Sequence, residues 1–239
     1  MVDPVEDGVA YYSKVATDFH ASYSADPNRL DRVSVWRQFL DRYSAGARTA
    51  YDIGCGSGVL ACELARRGID TTGIDGAPGM LSIAERVARE QGLANVRFRL
   101  ARLPIPDMSD LPRAQLVVSS SAIEYLESLA DALKCLCDLL EESGVAIFSV
   151  SNKMSISRTL VRACHRVTGR PHYLDYLRHF VSLREISSLT EQAGLRYLGH
   201  AYFGGADRLN HMLKRVFSEP LTNNMIIVAA QKDSAHRPA

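Results

Sequence analysis

Ala50-Tyr51-Asp52-Ile53-Gly54-Cys55-Gly56-Ser57-Gly58 is a short apolar run that ends in three glycines at alternate positions. A strand that runs into such glycines has to turn sharply, and glycine takes up left-handed backbone angles without a Cβ clash. Val59 to Arg67 follows at helical spacing until Gly68 stops it. The turn therefore opens onto the first N–H groups of a helix, which have no partner inside that helix. Asp70 to Ile74 reads as the next strand, closed by Asp75-Gly76, and Asp75 lies 21 residues after Gly54. A carboxylate at the end of that strand can accept hydrogen bonds from both ribose hydroxyls of an adenosine. A glycine turn alone fits many phosphate sites. Joined to Asp75, it points to a nucleoside cofactor.

Working outward from this centre, Pro78 can begin a helix that continues to about Gln91 and stops at Gly92. Val96 to Leu100 and Leu116 to Ser119 read as the third and fourth strands, Leu129 to Leu140 as a helix, and Gly144 to Val150 as the fifth strand. Such alternation predicts an α/β fold: a Rossmann-like, doubly wound, mostly parallel sheet with helices on both faces. Two late apolar runs, about Leu195–Phe203 and Met225–Gln231, would complete seven strands as an antiparallel pair. Toward the N-terminus, Val9 to Tyr43 reads as two cap helices broken near Asp26-Pro27-Asn28, the second carrying Leu30, Val33, Trp36, Phe39 and Leu40 on one face. Asn152 to Val181, rich in His, Tyr and Arg, reads as a small helical lid. These parts make one domain over residues 1–239 rather than two.

Composition narrows the function. Twenty-eight basic residues nearly balance 27 acidic ones, which argues against a broad nucleic-acid surface. No stretch approaches the roughly 18 apolar residues that span a bilayer. The first residues, with Asp3, Glu6 and Asp7, lack the basic and apolar regions of a secretory signal, so the expected setting is cytoplasmic. Five cysteines do not suggest a disulfide framework, and Cys135 and Cys137 read as small buried hydrophobes. No metal site is expected.

A nucleoside site of this kind serves nicotinamide dinucleotides as well as S-adenosyl-L-methionine. The position three after Gly56 is Val59, where the dinucleotide fingerprint carries a helix-packing glycine. Tyr51 to Gly58, with Leu64-Ala65-Arg66-Arg67-Gly68 and Thr72-Gly73-Ile74-Asp75, resembles the class I S-adenosylmethionine-dependent methyltransferases. Met80 and Ala84 match residues that commonly follow the acidic one, and Ser120-Ser121-Ala122-Ile123-Glu124-Tyr125-Leu126 is similar to the fourth-strand segment of that family. Tyr11-Tyr12-Ser13-Lys14-Val15-Ala16 resembles the opening segment of its ubiquinone and menaquinone branch. The resemblance covers residues 9 to 150 well and the rest by topology alone.

The resemblance implies that Gly54 and Gly56 pass under the methionine part, Asp75 with Gly76 meets the ribose, Met80 packs on adenine, and Tyr12 closes over the cofactor. It further implies an arginine for the methionine carboxylate, with Arg37 as first candidate and Arg32 and Arg29 as alternatives. Asp52, Cys55 and Ser119, at the strand ends around the same turn, are further expected cofactor contacts. Relatives usually carry an acid after the third strand for the adenine amino group. Arg99-Leu100-Ala101-Arg102-Leu103 has none, so backbone groups of Ala101 and Arg102 are expected to read the adenine edge.

Methyl transfer from a sulfonium needs alignment and exclusion of water, and a base only where the acceptor must lose a proton. His20, His172 and His179 are the candidate bases, and Tyr125, at the carboxyl edge of the sheet, is a candidate cofactor- or acceptor-facing residue. Glu124 reads as a cap for the next turn. Each histidine also has an ordinary reading as a surface or structural residue. Pro171 to His179, with Tyr173 and Tyr176, would form a wall for a planar aromatic or heterocyclic acceptor, or else a plain amphipathic helix. The expected function is transfer of a methyl group to oxygen or nitrogen of a small biosynthetic metabolite, by a monomer or homodimer. The alternatives are carboxylate methylation of a porphyrin-type substrate, as in the magnesium-protoporphyrin methyltransferases that this layout resembles, and a non-catalytic nucleoside-binding regulator. A nucleic-acid methyltransferase is disfavoured, because Ser119-Ser120-Ser121-Ala122 stands where an Asn/Asp-Pro-Pro-Tyr-like tetrapeptide would follow the fourth strand.

Overall fold

β1 (Thr49–Ile53) and β4 (Ala114–Ser120) are buried along nearly their whole length, as strands covered on both faces must be. The computed structural model, which describes residues 4–105, 107–206 and 208–233, pairs them at the centre of one sheet. β2 (Asp70–Asp75) and β3 (Val96–Leu100) extend it on one side. β5 (Leu140–Ser151), β7 (Met225–Lys232) and β6 (Leu195–Phe203) extend it on the other, in the order β3-β2-β1-β4-β5-β7-β6. β1 to β5 run parallel, and β7 is antiparallel to both β5 and β6. The expected seven-stranded, mostly parallel, doubly wound sheet is present. Its order reverses between β1 and β4, and a reversal of that kind opens a crevice beyond the carboxyl ends of the two strands.

The two faces of the sheet collect different helices. Leu116, Val118, Ile147 and Ile227 pack with Trp36 and Leu40 of α2 (Pro27–Tyr43) and with Leu60 and Leu64 of α3 (Val59–Arg66). Their neighbours Val117, Phe148 and Val228 point the other way, onto Leu133 and Leu136 of α5 (Leu129–Asp138) and Ile186 of α7 (Leu183–Gln192). This is the period-two alternation of a strand, with both phases apolar. The helix expected to reach Leu140 ends earlier, because Leu140 already pairs with Ala114 across the sheet.

The chain breaks where the sequence predicts, between α1 (Pro4–Ala21) and α2. The Asp26 side chain accepts the N–H of Asn28 at 2.8 Å and Pro27 takes the first helical position. A cap of this kind stabilises a helix start by about 1 kcal/mol. α1 lies across α4 (Pro78–Glu90), with the Gly79 N–H donating to Ser13 Oγ at 3.0 Å and Ala16 packed on Met80. The inserted segment carries α6 (Ile156–Thr168), started by the Ser155 cap, and a 3₁₀ turn at His172–Asp175. It returns to the sheet through a bridge between Asn152 and Val181. α8 (Arg208–Leu213) and α9 (Glu219–Thr222) are short connectors before β7. No described helix is long and apolar enough to cross a membrane, and among the described residues no three His, Cys, Asp or Glu side chains group as metal ligands.

Candidate active site

The turn after β1 is held from behind and left bare in front. Gly54, Gly56 and Gly58 all have positive φ, at 69°, 52° and 77°. The Gly54 and Cys55 N–H groups donate to the Ile74 carbonyl at 2.7 and 3.1 Å, and the Gly58 N–H donates to the Cys55 carbonyl at 3.0 Å. A Cβ on Gly54 would lie 2.2 Å from the Ala122 Cβ, so the start of the turn and the end of β4 touch through a missing side chain. At Gly56 a Cβ would meet only the Phe19 ring, at 3.8 Å, and this glycine lines a cavity of about 640 Å³ at the sheet's carboxyl edge. Asp75 ends β2 on the same wall. Its two oxygens accept the Gly56 and Ala77 N–H groups, each at 2.8 Å, yet burial outweighs these bonds and raises its pKa. Each oxygen keeps a lone pair for a ribose hydroxyl.

Gly76, Met80, Arg102 and Tyr12 also line this cavity. Met80 is 2% exposed and packs among Ala16, Ala77, Tyr12 and Phe19, so α1 and α4 together present a thioether wall. Four other expected contacts lie off the cavity wall. Asp52 is buried behind the turn, where the Ala61 N–H at the start of α3 bonds to it. Burial pushes its carboxyl up to about 7 and leaves Oδ2 without a partner. Cys55 is buried on the same rear side, and its thiol is pushed well up by burial. Ser119 Oγ donates to the Ile53 carbonyl at 2.8 Å, tying β4 to β1, while the next two serines reach the cavity. Ser120 Oγ is buried with no partner, and Ser121 sits at φ 53°, a sparsely populated angle for a side-chain-bearing residue. The Ala101 N–H is taken by the Asp75 carbonyl at 3.1 Å, leaving Arg102 and Leu103 on the wall.

Arg37 also lies elsewhere. Its side chain is 55% exposed, and the guanidinium pairs with Glu63 at 3.1 Å on the outer surface of α2 and α3. Helical geometry explains the displacement: Trp36 turns inward, so its immediate neighbour turns out. Of the three candidate arginines, the two that reach the cavity are Arg29 and Arg32. Arg29 stacks over Phe19 at 4.1 Å, which places it against the ring that faces Gly56.

The far half of the cavity is built by α1, the 3₁₀ turn Ile123–Tyr125, α6, the His172–Asp175 turn and the facing ends of β6 and β7. Tyr12 Oη donates to Tyr125 Oη at 2.8 Å, and the two rings meet edge to face. Burial raises both phenols, so neither ionises near neutrality. Glu124, read from the sequence as a turn cap, is the buried acid of this half, only 1% exposed. Its Oε1 accepts Ser151 Oγ at 3.4 Å, while Oε2 has no partner. Burial pushes its carboxyl up to about 7, against the pull of Arg32 and Arg158. Its position just past the fourth strand is the one sequence signal that could have found it. Arg158, Tyr173 and Tyr176 complete the wall.

The three candidate histidines are not on it. His20 Nδ1 bonds Ser57 Oγ at 3.0 Å, fastening the end of α1 to the rear of the glycine turn, and burial lowers its pKa. His172 is exposed beside Asp175, at 3.6 Å. His179 Nε2 donates to the carbonyls of Leu126 and Glu127, at 2.9 and 3.2 Å, which leaves that nitrogen no lone pair for a proton. These side chains brace loops rather than face an acceptor.

The bare turn, the Asp75 carboxylate and the unpartnered Ser120 hydroxyl fit an adenosyl amino acid lying across the ends of β1, β2 and β4. Comparison with known proteins agrees with this reading. The family described as a methyltransferase domain matches residues 29–200. The ubiquinone biosynthesis O-methyltransferase of Acinetobacter baylyi is 27% identical over 82% of this chain and 83% of its own. That of Bordetella avium is 26% identical over 77% and 74%. Among solved structures, magnesium protoporphyrin IX methyltransferase from Synechocystis, with bound SAH, superposes with a TM-score of 0.68 at 16% identity, covering 97% of this chain and 100% of that one. The last of these is a likeness of fold. Since the matched family spans both the glycine turn and Asp75, the chain belongs to the methyltransferase-domain family, and its methyl donor is S-adenosylmethionine.

Proposed function

We propose that this enzyme methylates a hydroxyl oxygen of a small, planar aromatic metabolite, with Glu124 as proton acceptor. The observation that carries the reading is Glu124, which lines the cavity that begins at the glycine turn and whose buried carboxyl leaves Oε2 without a partner. When bound, S-adenosylmethionine supplies an electrophilic methyl on a sulfonium that leaves as a neutral thioether. Gly54, Gly56, Asp75 and Met80 hold and orient the donor. Tyr12, Tyr125, Tyr173 and Tyr176 give flat faces that align a planar acceptor and exclude water. As the acceptor oxygen forms its bond to the methyl carbon and the carbon–sulfur bond breaks, the hydroxyl proton passes to Glu124 Oε2. A carboxyl held near 7 takes up a proton efficiently at neutral pH. The name of the two bacterial relatives, O-methyltransferase, supports oxygen over nitrogen. Carboxylate esterification needs no base and would leave Glu124 without work.

The test is methyl transfer to a panel of phenols, catechols, aromatic amines and carboxylic acids, using wild type and Glu124→Gln. Phenolic or catecholic products that Glu124→Gln nearly abolishes support the reading. Products on amines or carboxylates alone, or full activity in the variant, reject it.

A further inference from the structure

Over the whole cavity four arginines (Arg29, Arg32, Arg102, Arg158) meet four acids (Asp18, Asp26, Asp75, Glu124), but around Glu124 itself two arginines act on one acid. Arg32 arrives from α2 and Arg158 from the first turn of α6, and both act on Glu124. Arg158 Nη1 donates to Tyr173 Oη at 2.9 Å and Nη2 approaches Met225 Sδ at 3.3 Å, both neutral partners. The Nε of each arginine is buried without a hydrogen bond. Neither guanidinium forms an ion pair among the described residues, although exposed arginines of this chain such as Arg37 and Arg66 find one. Buried cationic donors left unpaired are costly, and a ligand that pairs them recovers that cost on binding. With Glu124 ionised, two guanidinium groups against one carboxylate leave one positive charge over; with Glu124 protonated they leave two.

Arg29 is a different case. It packs over Phe19, beside Gly56, and so belongs to the half that holds the methionine end of the donor. The donor's own carboxylate therefore has a partner that leaves Arg32 and Arg158 free for something else. Planar guanidinium groups bind oxyanions through paired N–H donors. We propose that the acceptor carries an anionic oxyacid group, in the simplest case a carboxylate on its ring, and that Arg158 together with Arg32 binds it beside Glu124. This rests on the reading that the acceptor occupies this half of the cavity. It makes Arg158 a specificity-determining residue, since it alone of the two comes from the inserted segment.

The measurement is calorimetric binding to the enzyme saturated with S-adenosylhomocysteine, using 3,4-dihydroxybenzoate, its methyl ester, catechol and benzoate. The anion is expected to bind at least tenfold more tightly than the ester or catechol. Arg158→Met should erase that preference while leaving S-adenosylhomocysteine affinity within twofold of wild type, which also shows that the variant is folded. Equal binding of the anion and its ester to wild type overturns the proposal, and that comparison needs no variant. Loss of S-adenosylhomocysteine binding in a folded Arg158→Met overturns it as well, by moving this arginine to the donor. Benzoate separates this inference from hydroxyl methylation, because it has charge and no hydroxyl. Benzoate binding with no phenol methylated would sink the hydroxyl reading alone. Phenol methylation with no preference for the anion would sink the charge inference alone.

Discussion

On the donor side of the cavity the N–H groups of Gly54, Cys55, Gly56 and Gly58 are all bonded to protein, and Asp75 already accepts two backbone hydrogens. Opposite, Glu124 Oε2, Arg32 Nε and Arg158 Nε are buried with nothing to bond. One half is thus built mainly from bonded backbone, with the Ser120 hydroxyl left over. The other holds buried charged side chains with bonding capacity left over. A cradle made of backbone serves one invariant donor. Side chains from α2, α6 and a 3₁₀ turn can be exchanged without disturbing the sheet, so a change of acceptor requires changes only on that side. Substitutions on either half test this division, because each half should control a different measured quantity.

The largest effect belongs to Glu124. Glu124→Gln keeps the shape and removes the proton acceptor, and kcat is expected to fall about 10³-fold, roughly 4 kcal/mol of barrier. S-adenosylhomocysteine affinity should stay within twofold of wild type. The pH profile carries the sign. The carboxyl is pushed up to about 7 and only its ionised form accepts a proton, so wild-type kcat should rise with pH to a plateau above about 7. The variant should lose that limb. A variant that keeps the same limb with a small loss of rate would transfer the proton to another group.

How far this contrast could be seen in advance differs between the halves. The donor side was legible because its chemistry is local: Gly54 to Gly58 and Asp75 are fixed by the strand–turn–helix unit that they belong to. Asp52 and Cys55 belong to the same unit, and Ser119 to the neighbouring β4, yet all three stand behind the wall. Facing depends on strand pleat and on which residue the turn rolls outward, and a spacing of one residue reverses it. Arg37 failed for the same reason on a helix, with Trp36 taking the inward position. The acceptor side draws on residues 11 to 225 and exists only after folding. Histidine was the natural candidate for a base by residue type. His179, however, had its Nε2 spent on two carbonyls, and Glu124, which the sequence offers as a cap, turned inward. The layered, mostly parallel sheet, by contrast, followed from the alternation of apolar runs, because strands buried between two helix layers are apolar on both faces; their order β3-β2-β1-β4-β5-β7-β6 did not, since more than one order meets that condition.

On the donor side, Asp75→Ala should weaken S-adenosylhomocysteine binding by about 2–3 kcal/mol, roughly 30- to 150-fold, through lost charge-assisted bonds to the ribose. The Gly56 and Ala77 N–H groups lose their acceptor too, so part of this loss comes from a looser turn. Calorimetry measures it directly. Affinity equal to wild type would remove Asp75 from the ribose. Arg29→Met and Arg37→Met then form a matched pair of smaller effect. The first should cost about tenfold in S-adenosylhomocysteine affinity, ~1.4 kcal/mol, as expected for one partly exposed charged contact. The second, which removes a surface ion pair, should cost nothing measurable in binding. The opposite ranking would restore Arg37 to the donor and undo the division of the arginines.

Tyr12 sits on the boundary between the halves, and its hydroxyl should have the smallest effect that can still be measured. The ring packs with Met80 and Phe19 on the donor side, while its Oη donates to Tyr125 Oη at 2.8 Å on the acceptor side. Tyr12→Phe keeps every ring contact and removes that one bond. A neutral hydrogen bond of this kind contributes about 1 kcal/mol, and here its loss leaves the Tyr125 hydroxyl free to turn toward the acceptor oxygen. Donor affinity should therefore be unchanged in Tyr12→Phe, and kcat/KM for the acceptor should fall only about threefold, ~0.7 kcal/mol. Tyr12→Ala removes the ring as well and should weaken both donor binding and turnover, since the face that covers Met80 is lost. Steady-state kinetics paired with calorimetry separates the two variants. If Tyr12→Phe lowers donor affinity as much as Tyr12→Ala does, the hydroxyl belongs to the donor and the boundary between the halves runs on the other side of Tyr125.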